Sequence, residues 1–313
     1  MTVFSSTLSQ MAFLFSLILL GYILVRSKIL DGSAAGVLSK LESWLFVPAL
    51  VLGTFISKFT VDILQTAGSL ILFSFAILVV IVPLSILIPR LCTKDRFKRN
   101  IYTYGLAFAN FGFMGNAVVA ALYPDIFFEY LIFVVPLWIM IYMWGVPVLL
   151  ISDDSGQGKS LKSRLKSFVN PMFICMIIGM IIGLSGLKLP TWTMNVINTC
   201  GDCMSPVAML LTGMTVAKID LKKVLSDKSI YAVTLIRLIL IPLVAIGVLY
   251  FLPIPRTFFV CAICSLAMPL GLNTIVIPAA YGKDTSTASG MALISHLLSC
   301  ITIPLIFMLM EFL

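Results

Sequence analysis

Long apolar runs separated by short polar turns make up most of the chain. The segments 70–87 and 173–184, for example, contain no charged residue. A membrane-spanning helix needs about 20 mostly apolar residues, whereas the strands of a membrane barrel alternate apolar and polar residues over about ten positions. The runs therefore predict ten transmembrane helices, at about 5–25, 35–57, 64–89, 101–123, 127–151, 168–187, 192–217, 229–252, 257–281 and 286–311.

The composition supports lipid rather than water as the solvent of this chain. Hydrophobic residues make up 60% and charged residues 11% of the 313 residues, and the mean hydropathy is +1.12. An average soluble domain is about half apolar and a quarter charged. We therefore predict an all-α integral membrane protein. The first apolar run follows no basic segment and precedes no small-residue cleavage site, so we interpret it as a helix rather than a signal peptide.

The basic residues are distributed unevenly between the two predicted sides of the membrane. Most of the 21 Lys and Arg lie in the loops after the first, third, fifth and seventh predicted helices. Loops rich in Lys and Arg stay in the cytoplasm. Both termini are therefore predicted to be extracytoplasmic, in a plasma or bacterial inner membrane. Membrane insertion also explains the net charge of +8, so no nucleic-acid partner is expected.

A weak internal repeat appears at an offset of 158 residues. Gly21 then falls on Gly179, and Pro48 on Pro206. The long polar segment 153–167, a predicted cytoplasmic loop, separates two five-helix halves, 1–152 and 168–313. An odd number of helices per half requires the halves to insert in opposite orientations, a plan typical of secondary transporters with a midplane substrate site. Chance coincidence of Gly and Pro is the alternative.

The fourth and ninth predicted helices contain residues that interrupt helices. Gly and Pro weaken a helix, and unwound backbone at membrane depth is tolerated where it lines a cavity or is buried in protein. Two facing breaks would direct helix N-termini and side-chain amides at one point, which suits an anion. A packing role is the alternative. The candidate substrate-binding residues are Asn110, Gly112, Gly115, Asn116, Pro269, Gly271, Asn273 and Thr274.

These segments resemble the auxin efflux carrier family, which includes plant PIN auxin exporters and prokaryotic organic-acid permeases. The resemblance is carried by NFGFMGNAVVAALYPD at 110–125, MPLGLNTIVIPAAYGKD at 268–284 and ASGMALISHLLSCITIPL at 288–305. Together with the predicted five plus five helices, it covers nearly the whole chain. It implies a fold similar to bacterial sodium/proton antiporters and bile-acid transporters, in which helices 4 and 9 unwind and cross.

The resemblance also implies roles for parts of the chain. Helices 1, 2, 6 and 7 would form a scaffold that dimerises, and helices 3–5 and 8–10 an elevator-like transport unit. Asn110 matches the crossover Asn that meets a substrate carboxylate in plant members, and Pro269 matches the crossover proline. Asn116-Ala117 stands where the family usually has an apolar residue and Pro, which changes the expected pocket shape. The central loop is short, and auxin as the substrate is not implied.

Four ionisable residues are predicted within the bilayer, where charge is costly and often functional. Glu42 could couple transport to an ion or form an interfacial ion pair. Asp202 could bind a proton or sodium ion. Arg237 could pair with an acid, attract an anion, or extend its head group to the membrane surface. His296, the single histidine, could carry protons or serve as a hydrogen-bonded packing residue.

We predict a carrier for a small organic anion, with a coupling proton or sodium ion, bound membrane lipid and a homodimeric assembly. A cation/proton antiporter is the first alternative, although neither break contains a carboxylate. A membrane ligand sensor without transport is another. No phosphate-binding loop, Ser-His-Asp set or paired metal ligands occur, so no enzyme activity, cofactor or metal site is expected. The seven cysteines include a Cys200–Cys203 pair to which we assign no role.

Overall fold

A computed structural model describes residues 3–31, 33–60, 64–150, 171–218, 226–280 and 285–313. The predicted cytoplasmic loop 153–167 lies outside these ranges. Within them the regular secondary structure is helical and no β-strand occurs. The all-α prediction is therefore confirmed.

Helices follow one another along the whole described chain. In the first half they are Val3–Arg26, Ala34–Leu41, Val47–Lys58, Leu64–Cys92, Arg96–Ala107, Asn116–Leu122, Phe127–Phe133 and Val135–Met140. In the second half they are Pro171–Ser185, Thr191–Asp202, Met204–Val216, Lys228–Leu235, Ile241–Tyr250, Arg256–Leu266, Asn273–Ala280 and Ser286–Phe312. Wider π-helical segments occur at Glu42–Phe46, Phe111–Gly115, Ile141–Leu150 and Ile236–Leu240, and a 3-10 turn at Pro124–Ile126.

Three prolines within long spans lie in or just after π-helical segments. Proline lacks an N–H group and its ring collides with the carbonyl of residue i−4 in a regular α-helix. Pro48 and Pro242 each lie just after a π-helical segment, and Pro147 lies inside one. A π-helical turn widens the helix locally and so relieves the collision.

Six helical stretches among the described residues are long and apolar enough to cross a membrane. They are Leu8–Arg26, Ala34–Lys58, Thr66–Cys92, Pro124–Leu150, Lys228–Tyr250 and Ser286–Phe312. Large apolar side chains on their surfaces, such as Leu72, are exposed, as expected where lipid is the solvent. These features define a multi-pass membrane protein. The ten crossings and their inverted arrangement remain predictions.

The first two spans pack against helices of the second half of the chain. Helix Val3–Arg26 lies along Met204–Val216, and helix Val47–Lys58 lies between Pro171–Ser185 and Thr191–Asp202. The other long helices surround the two interrupted ones, whose breaks lie in the buried interior.

Candidate substrate site at the crossing of two interrupted helices

The two interruptions meet inside the protein. Helix Arg96–Ala107 is followed by non-helical residues before helix resumes at Phe111, and Arg256–Leu266 is followed by a longer break before Asn273. Ala109 and Leu270 form an antiparallel bridge. The Asn110 N–H donates to the Pro269 carbonyl oxygen at 2.8 Å. The two breaks thus satisfy part of each other's backbone hydrogen bonding, which unwound backbone at membrane depth requires.

Arg237 neutralises one pair of the helix ends at this crossing. Its side chain is fully buried. It donates from Nε to the Met268 carbonyl at 3.1 Å, from Nη1 to the Leu106 carbonyl at 3.0 Å and from Nη2 to the Ser265 carbonyl at 3.4 Å. These carbonyls belong to the C-terminal ends of both leading half-helices, where the helix dipoles are negative. Arg237 therefore does not extend to the membrane surface.

The other pair of helix ends carries partial positive charge, part of which the break itself compensates. The Thr274 N–H donates to the Gly271 carbonyl oxygen at 3.2 Å and the Ile275 N–H to the Leu272 carbonyl oxygen at 2.9 Å. Helix resumes at Phe111 and at Asn273, and the first N–H groups of a helix have no partner within it. Helix N-termini of this kind bind anions. The C-terminal ends are thus held by Arg237, and the N-terminal ends form the positive part of the crossing.

Asn110 and His296 form a buried pair at the crossing. Their side chains are 1% and 2% exposed. The Asn110 Nδ2 lies 3.1 Å from the His296 Nε2, and the His296 Nδ1 lies 2.8 Å from the Ala292 carbonyl oxygen. The Asn110 Oδ1 is buried and has no hydrogen-bond partner. Buried polar atoms without partners are rare in native proteins, so this oxygen needs an explanation in the function or packing of the crossing.

The remaining polar candidates differ in whether their side chains already have hydrogen-bond partners. The Asn116 Oδ1 is buried without a hydrogen-bond partner. Thr274 donates from Oγ1 to the Gly271 carbonyl at 2.8 Å, so its hydroxyl supports the break. Sequence reasoning missed Ser295, whose hydroxyl accepts from the Leu270 N–H at 3.2 Å. Ser295 lies within the segment 288–305 that carries the family resemblance, but its partner Leu270 lies in the distant break, so the local sequence does not signal the contact.

Gly112 and Gly115 are required by aromatic neighbours. A Cβ at Gly112 would collide with the Trp138 ring, and a Cβ at Gly115 with the Tyr130 hydroxyl. Tyr130 donates this hydroxyl to the Phe111 carbonyl at 2.9 Å. These glycines therefore let the aromatic side chains close over the π-helical turn after the break.

A cavity of about 190 Å³ lies beside the crossing. Apolar groups provide somewhat more of its wall than polar groups; the lining includes Trp44, Phe113, Trp138, Tyr142, Ser43 and Asn273. Ligand sites of this kind combine an apolar wall with few polar groups that fix orientation. Of the predicted binding residues, Asn273 lines the cavity directly, and Gly112 makes room for the Trp138 ring.

Two further predicted ionisable residues lie elsewhere. Asp202 is exposed at the end of helix Thr191–Asp202. Glu42 is 1% exposed, and neither of its carboxylate oxygens has a hydrogen-bond partner. Glu42 immediately precedes Ser43, which lines the cavity. Of the four predicted residues, the structure therefore brings Arg237 and His296 to the crossing.

The helices, the crossing and the cavity define a multi-pass membrane protein of the transporter class, and comparison with known proteins identifies its family. A model of a family described as membrane transport protein matches residues 6–307. The chain belongs to this family, the auxin efflux carrier family. It is also 26% identical over 294 residues to an "Uncharacterized transporter" from Methanothermobacter thermautotrophicus, with 92% of this chain and 93% of that protein covered.

Proposed function

We propose that this protein is a secondary transporter that carries a small organic anion, a carboxylate, across the cell membrane by alternating access. The observation that carries the proposal is the hydrogen bond from the Asn110 N–H to the Pro269 carbonyl, which joins two interrupted helices. Around this bond, two helix N-termini and the buried Asn110 amide converge, while Arg237 covers the opposite helix ends. Such an arrangement favours an anion over a cation.

The proposed architecture is ten crossings in two inverted five-helix repeats. Packing at glycines that are related by the offset of 158 supports it. A Cβ at Gly21 would collide with the Leu210 carbonyl oxygen, and a Cβ at Gly179 would lie 3.1 Å from the Leu52 carbonyl oxygen. Residues 21 and 52 become 179 and 210 when 158 is added. The contact of Gly21 with Leu210 is therefore the repeat equivalent of the contact of Gly179 with Leu52. Reciprocal contacts of this kind are expected of a pseudo-two-fold axis.

The proposed mechanism is elevator-like, with the unit of helices 3–5 and 8–10 moving against a dimerised scaffold of helices 1, 2, 6 and 7. The lining of the cavity supports this division. Trp44 and Met172 belong to the proposed scaffold, whereas Trp138 and Asn273 belong to the proposed moving unit. A substrate between them would be exposed to either side as the unit moves. The surrounding lipid would contact the exposed apolar faces of both parts.

Ligand-dependent thermal stabilisation of the purified protein tests this function. Small mono- and dicarboxylates and indole acids are added with and without sodium, at two pH values. A ligand at about a hundredfold over its Kd adds about 2.7 kcal/mol of stability. We expect one class of acid to raise the Tm of the parent protein, and Asn110→Ala and Asn273→Ala to reduce this rise. Asn195→Ala, which removes an exposed amide away from the crossing, is the control and should keep it.

Other ligands separate the alternatives. If no acid raises the Tm but sodium does, the result would favour a cation/proton antiporter over an anion carrier. A rise caused by a sterol alone would favour a membrane ligand sensor. Loss of the acid response in Asn195→Ala as strongly as in Asn273→Ala would mean that the crossing is not the binding site.

A further inference from the structure

The hydrogen bonds of His296 determine which of its nitrogens carries the proton. The Ala292 carbonyl can only accept, so the Nδ1 at 2.8 Å from it must be the donor. In a neutral imidazole the Nε2 is then an acceptor. Its partner, the Asn110 Nδ2 at 3.1 Å, must donate. The orientation of the Asn110 amide therefore follows from the chemistry of its neighbour.

This orientation is the less favourable one for a carboxylate, because one of the two Nδ2 hydrogens is given to His296 and the acceptor Oδ1 takes the place of a donor. With the Nδ2 directed at His296, Asn110 presents its unpartnered Oδ1 to any further ligand. A carboxylate oxygen is also an acceptor and cannot form a hydrogen bond with Oδ1. If the His296 Nε2 gains a proton, it becomes a donor and needs an acceptor instead. Rotation of the amide by half a turn then brings Oδ1 to His296 and leaves Nδ2 to donate to the carboxylate.

We propose that His296 is the proton-binding site of this transporter, and that it takes up a proton together with the substrate carboxylate through rotation of the Asn110 amide. The proposal rests on the anion-carrier function proposed above, and it names the coupling ion. Each binding step favours the other, because the protonated imidazole selects the amide orientation that accepts the anion. Such reciprocal coupling between two ligands is a thermodynamic requirement.

Within the described part of the chain, the surroundings of His296 offer no negatively charged side chain to a protonated imidazole, so the substrate anion would have to balance its charge. The elements packed most extensively against helix Ser286–Phe312 contain no Asp or Glu, and the helix's own Glu311 lies at its far end. A buried imidazolium is costly without a partner of opposite charge. The buried charged or titratable groups on these elements are Tyr102, Tyr104, Arg237, Cys261 and Cys264. Arg237 is positive and bonded to three carbonyls, so the incoming anion would provide the negative charge that a proton on His296 needs.

The single histidine makes the proposal directly measurable. In protein labelled with ¹⁵N-histidine, every imidazole signal comes from His296. Without ligand at neutral pH, we expect one protonated nitrogen, Nδ1, and one unprotonated nitrogen, Nε2. Addition of succinate or benzoate should convert Nε2 to the protonated form. The affinity for the same acid should rise about tenfold for each pH unit lowered, the limit for uptake of one proton, above about pH 6 where the acid stays ionised.

His296→Gln provides the matched variant, because glutamine keeps an amide for Asn110 but does not titrate. It should bind the acid with an affinity that no longer changes with pH. If an acid binds while the Nε2 of His296 stays unprotonated, or if the free protein carries its proton on Nε2, the coupling is wrong and the anion-carrier function stands. If no acid binds, the carrier function fails and the coupling fails with it. The spectra of the parent protein decide the matter even if the variant does not fold.

Discussion

At the scale of single residues, Arg237 has a structural position that its charge alone does not suggest. A fully buried guanidinium is usually paired with a carboxylate. Here its described hydrogen bonds go to backbone carbonyls of Leu106, Ser265 and Met268. The planar, forked donors of arginine can reach several acceptors at once, which lysine cannot reproduce. Arg237 therefore ties together the C-terminal ends of two half-helices that would otherwise repel each other.

Replacement of Arg237 should destabilise the protein strongly. Arg237→Met leaves three buried carbonyls without their donors, and one unsatisfied buried group costs about 1–3 kcal/mol. We expect a loss of about 3 kcal/mol or more, measured as a lower Tm in detergent. The Tm of Arg237→Lys should lie between those of the parent and Arg237→Met, because one ammonium group cannot reach all three carbonyls.

The matched control for this replacement is Arg256→Met. Arg256 is about half exposed; it forms an ion pair with Glu311 at an N–O distance of 3.9 Å and donates to the Met310 carbonyl oxygen at 2.6 Å. An exposed ion pair contributes about 0–1 kcal/mol and a single hydrogen bond about 1 kcal/mol, so this variant should lose clearly less stability than Arg237→Met. Equal Tm values for Arg237→Met and the parent would show that Arg237 does not hold the crossing together.

At the scale of helical elements, local sequence predicts where the helices break but not how the breaks are stabilised. Asn110 and Gly112 indicate an interruption, as do Pro269 and Gly271, because these residue types weaken helices. The partners that stabilise the breaks come from distant parts of the chain. Arg237 lies 131 residues from Leu106, and a single sequence contains no signal that pairs them. The π-helical turns also depend on such tertiary packing and were not predicted.

Gly112→Ala tests the packing of the π-helical turn that follows the first break. The Trp138 ring occupies the space of the missing Cβ, lies edge-on to Phe111 at 5.2 Å and stacks on Tyr142 at 6.1 Å between ring centroids. Because this ring is held on three sides, the added methyl should cost about 1–3 kcal/mol by overpacking. The measurement is the Tm of the purified variant.

Gly247→Ala is the control for Gly112→Ala. Gly247 lies in helix Ile241–Tyr250, and nothing lies within 4 Å of where its Cβ would be. Alanine is the better helix former by about 1 kcal/mol, so this variant should be as stable as the parent or more so. A Gly112→Ala variant that also gains stability would rule out the close contact with Trp138.

The contact between Lys98 and Asp227, which lie on different helical elements, predicts that the stability of the protein depends on pH. The Lys98 ammonium donates to the Asp227 carboxylate at 2.8 Å, and the Ser229 hydroxyl donates to the same carboxylate at 2.6 Å. Tyr102, 2.6 Å from the Ser229 oxygen, must then donate to it. Burial raises the pKa of Asp227, but the hydrogen bonds from Lys98 and Ser229 outweigh this, so that the pKa lies below its usual value.

A carboxylate with a lowered pKa stabilises the folded state above its unfolded pKa of about 3.9 and loses this effect as the pH falls through the folded value. Asp227→Asn keeps a residue that can cap helix Lys228–Leu235 but removes the charge. We expect it to cost about 1 kcal/mol near neutral pH, and progressively less as the pH falls below about 3.9 and through the lowered pKa of folded Asp227. The Tm of parent and variant, measured across this range, checks it. A gap that stays constant with pH would assign the effect to capping rather than charge.

At the scale of the whole molecule, the repeat and the membrane orientation can be tested together with two serines. Ser27 follows helix Val3–Arg26, Ser185 ends helix Pro171–Ser185, and both are exposed. Adding 158 to 27 gives 185, so the two serines are equivalent in the proposed repeats. If the repeats are inverted, equivalent positions lie on opposite sides of the membrane. The basic loops assign Ser27 to the cytoplasm.

Labelling of introduced cysteines in intact cells measures this directly. The background carries serine at the partly exposed cysteines, which are Cys92, Cys175, Cys200, Cys203 and Cys300. A membrane-impermeant maleimide should label Ser185→Cys in intact cells and Ser27→Cys after permeabilisation only, because just one of the two faces the outside. Permeabilised cells, in which both should react, provide the control for reactivity. Labelling of both positions from the outside would contradict the inverted repeat, and with it the pairing of two half-helix N-termini from opposite sides on which the anion site depends.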